Sequence, residues 1–337
     1  MVSVPIFVGL DYHDEQVQVC VLDQSGKEKF NRLVANDAAQ IERLVRRQGT
    51  IAGAAIESCC GAADLAERLA THEKWPIQLA HPGYVARLKQ SPDKTDYGDA
   101  RLLADLVRVG YVPKVWMAPR ETRELRRLVR YRQRLVEART KTKLRIRALL
   151  RENRLRATHC NPWTKAWFEW LAAVPLGEDD RWIVTEYVAE LQHAGRQIQQ
   201  VEERLSARAE HDPLVGRLLE LPGVGLVTAM TIRAEIGRFD RFQSGKQLAR
   251  FCGVSPRNAS SGQRQADAGL IKAGNPGLRR VLVELAHRLI CRVKGRWAVL
   301  AYQLLRRGKA KNVVVAAIAN RWIRQLYHQM KSQEQAA

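Results

Sequence analysis

The chain has 337 residues, 46% of them apolar, and carries 56 Lys and Arg against 35 Asp and Glu, a formal charge of +21. That length supplies two or three domains with cores of their own, and a charge so far beyond what solubility needs points to a polyanionic partner. No run of 18 apolar residues occurs, and the opening MVSVPIFVGLDYHDE has no basic leader and turns acidic by Asp11, so a cytoplasmic protein with no membrane partner and no export signal is expected.

Residues 5 to 58 carry strand signals. PIFVGLDYH is an apolar run ending in polar residues, QVQVCVLD alternates with period two, and KEKFNRLVA follows a Ser-Gly turn, which predicts a three-stranded meander. NDAAQIERLVRR then reads as a capped helix and TIAGAAIES as a fourth, buried strand. A helix near Ala62 to Thr71, a short strand IQLAH and a helix inside SPDKTDYGDARLLADLV complete an α/β domain assigned to residues 1–112.

From Arg120 to Arg156 there are 15 Lys or Arg and four Glu, a net of +11. Leu125, Leu128, Leu135, Ile146 and Leu149 fall near heptad positions, and a second helix, about Asp180 to Arg208, shows cleaner spacing in Val184, Tyr187, Leu191, Ile198, Val201 and Leu205. A helical hairpin or an intersubunit coiled coil is expected for residues 113–212. Its density of uncompensated arginine marks Arg145, Arg147 and Arg151 as nucleic-acid contacts. A solvated charged face is the plainer alternative.

Residues 213–337 are read as a mostly helical last domain. In LLELPGVGLVTAMTI, Pro222 to Gly225 form a tight turn between two apolar helical segments, the pattern of a helix-hairpin-helix. Gly223 and Gly225 would let backbone N–H groups approach a phosphate, although a turn between two core helices has the same pattern. The chain continues through the Gly- and Ser-rich FCGVSPRNASSG to IKAGNPGLRR, where Lys272, Asn275, Arg279 and Arg280 are candidate phosphate or RNA contacts or simply a basic helix start. The six cysteines form no CxxC pair and no zinc spacing, so reduced and mostly buried thiols are expected.

Four carboxylates stand out against this positive chain. Asp11 and Glu57 end two apolar strands, and functional groups of open α/β sheets gather at carboxyl strand ends. Asp96 and Asp99 are three apart at the mouth of a helix and project to one side. Taken alone the pair is ordinary helix-dipole dressing. Together the four suit a hard divalent ion, bound by carboxylate oxygens and able to assist phosphoryl transfer. His13 follows Asp11 closely and is a candidate to line the site, although a surface role at a strand end is the plainer reading.

GLDYH, AIESCCG and KTDYGDA resemble, in order and context, the Asp, Glu, Asp, Asp motifs of the DEDD insertion-sequence transposases, the insertion-sequence 110 family with its 1111 branch. FCGVSPRNASSG followed by IKAGNPGLRR extends the resemblance to essentially the whole chain. It implies a RuvC-like domain of ribonuclease H fold, a helical coiled-coil middle and a mostly helical transposase domain with a helix-hairpin-helix. The implied activity is DNA recombination at element ends and target, guided by a structured noncoding RNA, in a homodimer or higher oligomer acting at the bacterial nucleoid. Carried over by motif, Asp11, Glu57, Asp96 and Asp99 hold Mg²⁺, and Ser261 attacks a DNA phosphate to form a phosphoserine link. Spacing alone leaves Ser260 open beside Ser261. The Ser-Gly step, with Gly262, favours Ser261. A metal-dependent nuclease or junction resolvase needs only the four acids, and a nonenzymatic binder needs only the basic helices and the hairpin.

Overall fold

The computed structural model describes residues 4–89, 95–258 and 267–334. The chain divides into two compact units, Met1–Arg120 and Glu121–Ala337.

The first unit contains the expected strands and helices in order, with two short elements that the sequence pattern does not give, Pro82–Leu88 and Lys114–Val115. It comprises β1 (Pro5–Tyr12), β2 (Gln16–Asp23), β3 (Glu28–Ala35), α1 (Ala38–Arg46), β4 (Thr50–Glu57), α2 (Ala62–Thr71), β5 (Ile77–Ala80), α3 (Pro82–Leu88), α4 (Asp96–Arg108) and β6 (Lys114–Val115). The six strands form one mixed sheet in the order β3-β2-β1-β4-β5-β6. β1, β2 and β3 are an antiparallel meander, β1, β4 and β5 are parallel, and β6 closes the far edge antiparallel. Ile6, Val8, Leu10, Val17, Val19 and Val21 pack with Ile41, Leu65 and Leu69 of α1 and α2 on one face.

The opposite face takes α4, and glycine decides how closely. A Cβ on Gly9 would lie 1.9 Å from the Ala100 carbonyl oxygen and 2.4 Å from the Ala104 nitrogen. Only a missing side chain on β1 and small residues on α4 allow such an approach. Ala100 and Ala104 pack there with Cys20 and Leu22 of β2, and Leu103 and Val107 pack with Ala55 of β4. The α4 start is tied to β3 as well, since the Tyr97 hydroxyl donates to Glu28 (2.6 Å) and Arg101 pairs with the same carboxylate (3.0 Å).

The second unit contains α5 (Arg120–Glu152), α6 (Lys165–Ala173), α7 (Glu178–Ala209), α8 (Pro213–Leu219), α9 (Leu226–Ile236), α10 (Gly245–Phe251), β7 (Pro256–Asn258), β8 (Asp267–Leu270), α11 (Pro276–Cys291), α12 (Arg296–Arg306) and α13 (Lys311–Glu334). α5 and α7 run antiparallel, because contacts pair Arg132 with Glu202, Thr142 with Glu190, and Asn153 with Asp180. Two cores serve them. Leu125 and Val129 join Val201 and Leu205 in the large core beneath α8 to α13, while Ile146 and Leu150 join Val184 and Leu191 in a second cluster. α6, which the periodicity reading did not assign, fills that second cluster with Trp167 and Leu171. Its local signal was Thr164, whose hydroxyl caps the helix at the Trp167 N–H.

All six cysteines are unpaired, but Cys20 and Cys252 alone are buried, whereas Cys59, Cys60 and Cys291 are exposed. The expectation of mostly buried thiols fails because the exposed three sit on loops or at a helix end. No helix among the described residues is long and apolar enough to cross a membrane.

Candidate active site

Strand register sets the first pair of acids side by side. Gly9 pairs with Ala55 and Leu10 with Ile56 across β1 and β4, so the next residues, Asp11 and Glu57, come side by side near the strand ends, where they still pair with Gln18 and Ala80 respectively. Side chains alternate along a strand, so Asp11 shares the face of Gly9 and Glu57 that of Ala55, the face covered by α4. The close contact at Gly9 thereby brings the first turn of α4 over the same strand ends. Thr95 caps that turn, its hydroxyl accepting from the Gly98 N–H at 3.1 Å.

The resulting cluster contains more than the four expected acids. His13 Nε2 lies 3.1 Å from Asp96 Oδ2 and 3.7 Å from Asp11 Oδ2. One ligating atom from each of Asp11, His13 and Asp96 falls within 4.8 Å of the others. Asp99 is nearly buried, at 9% exposure, and Lys89 Nζ sits 2.6 Å from its Oδ1 and 2.7 Å from its Oδ2. Glu57 is half-buried and close enough for its charge to act on Asp11.

Asp11 feels this crowding. Burial is the largest influence and raises its pKa. His13 opposes the rise, Asp96, Asp99 and Glu57 add to it, and the outcome is about 6. Carboxylates gathered without enough positive charge form a donor set suited to a hard divalent cation, since oxygen ligands dominate and one imidazole joins them. The residues present therefore fit such an ion.

Of these contributors the sequence offers His13 only as the less favoured of two readings, and Lys89 not at all. His13 is as exposed as a strand-end residue should be, yet it touches both Asp11 and Asp96. Its proximity to Asp11 in sequence was the available signal. Lys89 had none, because its partner lies ten residues away, beyond the reach of any helix or strand spacing.

The second unit holds the remaining candidates. Ser260, Ser261 and Gly262 lie outside the described residues. The strands that flank them in sequence are paired, with Pro256 opposite Leu270. Arg279, expected at nucleic acid, directs its guanidinium to backbone carbonyls: Gly253 (2.9 Å), Ile271 (2.8 Å) and Lys272 (3.3 Å). Gly253 is left-handed, with φ of 71°, and a Cβ there would meet that guanidinium. Asn275 caps α11 and donates to Glu235 at 2.8 Å, while Arg130 of α5 binds both oxygens of Glu235 at 2.7 and 2.8 Å. Burial pushes the Glu235 carboxyl up, and hydrogen bonds and charge from Arg130, with Asn275 and Arg126, overcome that and hold it below the usual range.

Arg145, Arg147 and Arg151 are exposed on α5, as is Lys272 after β8. Arg280 pairs with Glu137 at 2.7 Å. Gly223 takes φ of 78°, and Gly225 precedes α9 without a side-chain cap. Arg288 braces the turn by donating to the Gly223 carbonyl (3.0 Å) and the Thr228 hydroxyl (2.9 Å).

Sequence comparison agrees with this arrangement of an acidic α/β unit followed by a helical one. Residues 8–154 match a transposase family of the DEDD, IS110 type, and residues 215–303 match the "Transposase IS116/IS110/IS902 family". The transposase for insertion sequence element IS1111A of Coxiella burnetii is 30% identical over 295 residues, covering 86% of this chain and 79% of that protein. The transposase for insertion sequence element IS1328 of Yersinia enterocolitica is 28% identical over 279 residues, covering 80% and 81%. The class is thus that of insertion-sequence transposases with a DEDD motif. Within it, the chain belongs to the IS110 family.

Proposed function

We propose that this protein is an RNA-guided DNA recombinase of an insertion sequence, cutting and rejoining element ends and target through a phosphoserine link at Ser261. The observation that carries the reading is the convergence of Asp11, His13 and Asp96, from β1, the turn after it and the first turn of α4, on a volume of ion-binding size. Family membership supports DNA as the substrate. The sheet order, with an antiparallel meander continued by parallel strands and crossed by α4, supports a RuvC-like ribonuclease H fold for the first unit.

In this reading Asp11, Glu57, Asp96 and Asp99 hold Mg²⁺, with His13 beside them. A bound Mg²⁺ would supply Lewis acidity at a phosphate oxygen. The chain's own part is to orient the phosphate and to provide the nucleophile. As the Ser261 Oγ–phosphorus bond forms, a phosphorus–oxygen bond to a deoxyribose breaks and the sugar oxygen takes up a proton. The number of phosphate ester bonds is unchanged, so the joining step needs no external energy source. The residues 1–112, 113–212 and 213–337 would serve as acidic catalytic, basic helical and serine-bearing parts, with Arg145, Arg147, Arg151, Gly223, Gly225 and Lys272 toward nucleic acid. Arg279 instead braces the backbone at Gly253, Ile271 and Lys272 through their carbonyls.

A second reading is a metal-dependent nuclease or junction resolvase, favoured by the completeness of the acidic cluster within one unit. Trapping separates the two. Incubation with Mg²⁺, guide RNA and nicked suicide DNA should give a protein–DNA adduct that survives boiling in detergent. Ser261→Ala should abolish it and Ser260→Ala should retain it. Cleavage without any adduct would establish the nuclease reading instead.

A further inference from the structure

The arginines of α5 are sorted by direction. Arg126 donates to the carbonyls of Ala234 and Glu235, Arg130 grips Glu235, and Arg132 grips Glu202, so these three are committed to the fold. Arg127 and Arg134 point elsewhere. Together with Glu124, Leu128 and Tyr131 of α5 and Arg204, Ala207 and Arg208 of α7, they line a cleft of about 630 Å³ between the antiparallel helices.

Periodicity accounts for the lining. Arg127, Tyr131 and Arg134 stand at i, i+4 and i+7 on one helix, and Arg204 and Arg208 at i and i+4 on the other. All five are exposed, with Tyr131 at 39%. Arg134, Arg204 and Arg208 have no acidic partner among the described residues, and Arg127 has Glu124 at 4.0 Å. Four guanidinium groups, one carboxylate, one aromatic ring and the apolar Leu128 therefore line one cleft, and its formal charge is +3. Mutual repulsion of these charges is relieved by an anion.

Anionic charge alone leaves the ring unexplained. A duplex keeps its bases stacked on one another and would offer this cleft only phosphates. A strand with an unpaired base matches both features, since the base stacks on an aromatic face while flanking phosphates meet arginine. We propose that the cleft is a docking site for single-stranded DNA, one base stacked on Tyr131 and the neighbouring phosphates held by Arg127, Arg134, Arg204 and Arg208. DNA is assigned because the recombination proposed above opens strands at each cut, and to that extent the inference rests on that reading.

The test uses the full chain and fluorescence anisotropy with labelled oligothymidylate, oligouridylate and a DNA duplex. Tyr131→Ala should weaken oligothymidylate binding about tenfold and leave duplex binding unchanged. Tyr131→Phe should bind like the parent, because the ring remains. Replacing Arg134 and Arg204 together with Ala should lower the slope of log affinity against log salt by about 1.4 for the single strand. Oligothymidylate carrying 5-iododeoxyuridine should photo-crosslink to Tyr131, within the 125–137 fragment released by cleavage after Glu124 and Glu137.

Unchanged oligothymidylate affinity in Tyr131→Ala, an equal loss on strand and duplex, or a crosslink elsewhere overturns the proposal. Dependence on Tyr131 for oligouridylate alone overturns the assignment to DNA. The ring is exposed, so matched thermal unfolding of both Tyr131 variants is expected and keeps the comparison clean. Asp11→Asn disables the proposed cleavage and should leave strand binding intact, so failure of the chemistry and failure of the cleft are read separately.

Discussion

Two carboxylates, the half-buried Asp11 of the first unit and the buried Glu235 of the second, are shifted in opposite directions. Asp11 sits with Asp96, Asp99 and Glu57, opposed only by His13, and its pKa rises to about 6. Glu235 is 4% exposed, a deeper burial, yet it lies below the usual carboxylate range because Arg130 and Asn275 saturate its oxygens. Burial penalises both charges equally in kind. Partners decide the sign. A carboxylate whose partners are built in serves the fold, and one left among its own kind stores an unmet demand for positive charge. The acidic cluster of the first unit therefore reads as a donor set suited to a divalent cation, and the Glu235 knot as a structural joint linking α5, α9 and the start of α11.

The sharpest way to break that contrast is to neutralise each carboxylate. Asp11→Asn or Asp96→Asn should reduce strand exchange, scored by amplification across new DNA junctions, by at least about 100-fold, since loss of outer-shell partners alone costs metal sites about 10–100-fold. Thermal stability should hold or rise, because a like charge has been removed. A stability loss matching the activity loss would show Asp11 to be a fold residue after all.

Glu235→Ala should do the reverse in stability. Removing Glu235 leaves the Asn275 amide without its acceptor, while Arg130, whose side chain is 60% exposed, regains water, so about 1–3 kcal/mol is expected. Urea unfolding measures it. An unchanged midpoint would mean that the knot is not structural.

The approach of α4 to β1 underlies the site, so Gly9→Ala should cost about 1–3 kcal/mol, as overpacking does. It should also lower divalent-ion affinity, measured by calorimetry, by displacing Asp96 from Asp11. The clash is with backbone, which has no side-chain rotamer through which to yield. Wild-type ion affinity in Gly9→Ala would detach the site from that contact.

The smallest effect concerns pH in chelator-treated protein. Asp11 binds its proton more tightly folded than unfolded, so its contribution favours folding below about pH 4 and is lost as pH rises toward 6. Glu235 has the opposite sign: its contribution is present above the unfolded carboxylate pKa and fades as pH falls through its lowered value. Asp11→Asn should therefore gain on wild type between about pH 4 and 6, on the order of 1–2 kcal/mol, while Glu235→Gln should show a flatter acid limb. Parallel melting curves for the two variants would defeat the comparison.

Much of this arrangement was legible in the residue order. Period-two alternation in QVQVCVLD and the apolar runs before Asp11 and Glu57 predict β1, β2 and β4, and the three-residue spacing of Asp96 and Asp99 places both in one helical turn. These are local facts, because period and spacing are set by backbone geometry within a single element. The basic composition of α5 was equally plain, but its division into committed and open arginines was not, since that depends on where Glu202, Glu235 and two backbone carbonyls lie.

The sequence by itself determined the strongly periodic elements and which residues of such an element share a face, while short elements such as α3, α6 and β6 carried no such signal. Tertiary structure alone decided that Lys89 answers Asp99, that His13 stands between Asp11 and Asp96, and that Arg279 holds backbone carbonyls. Each is a contact across elements, and charge pays no regard to sequence separation once packing has set the distance. The approach permitted by Gly9 is what sets it in the first unit.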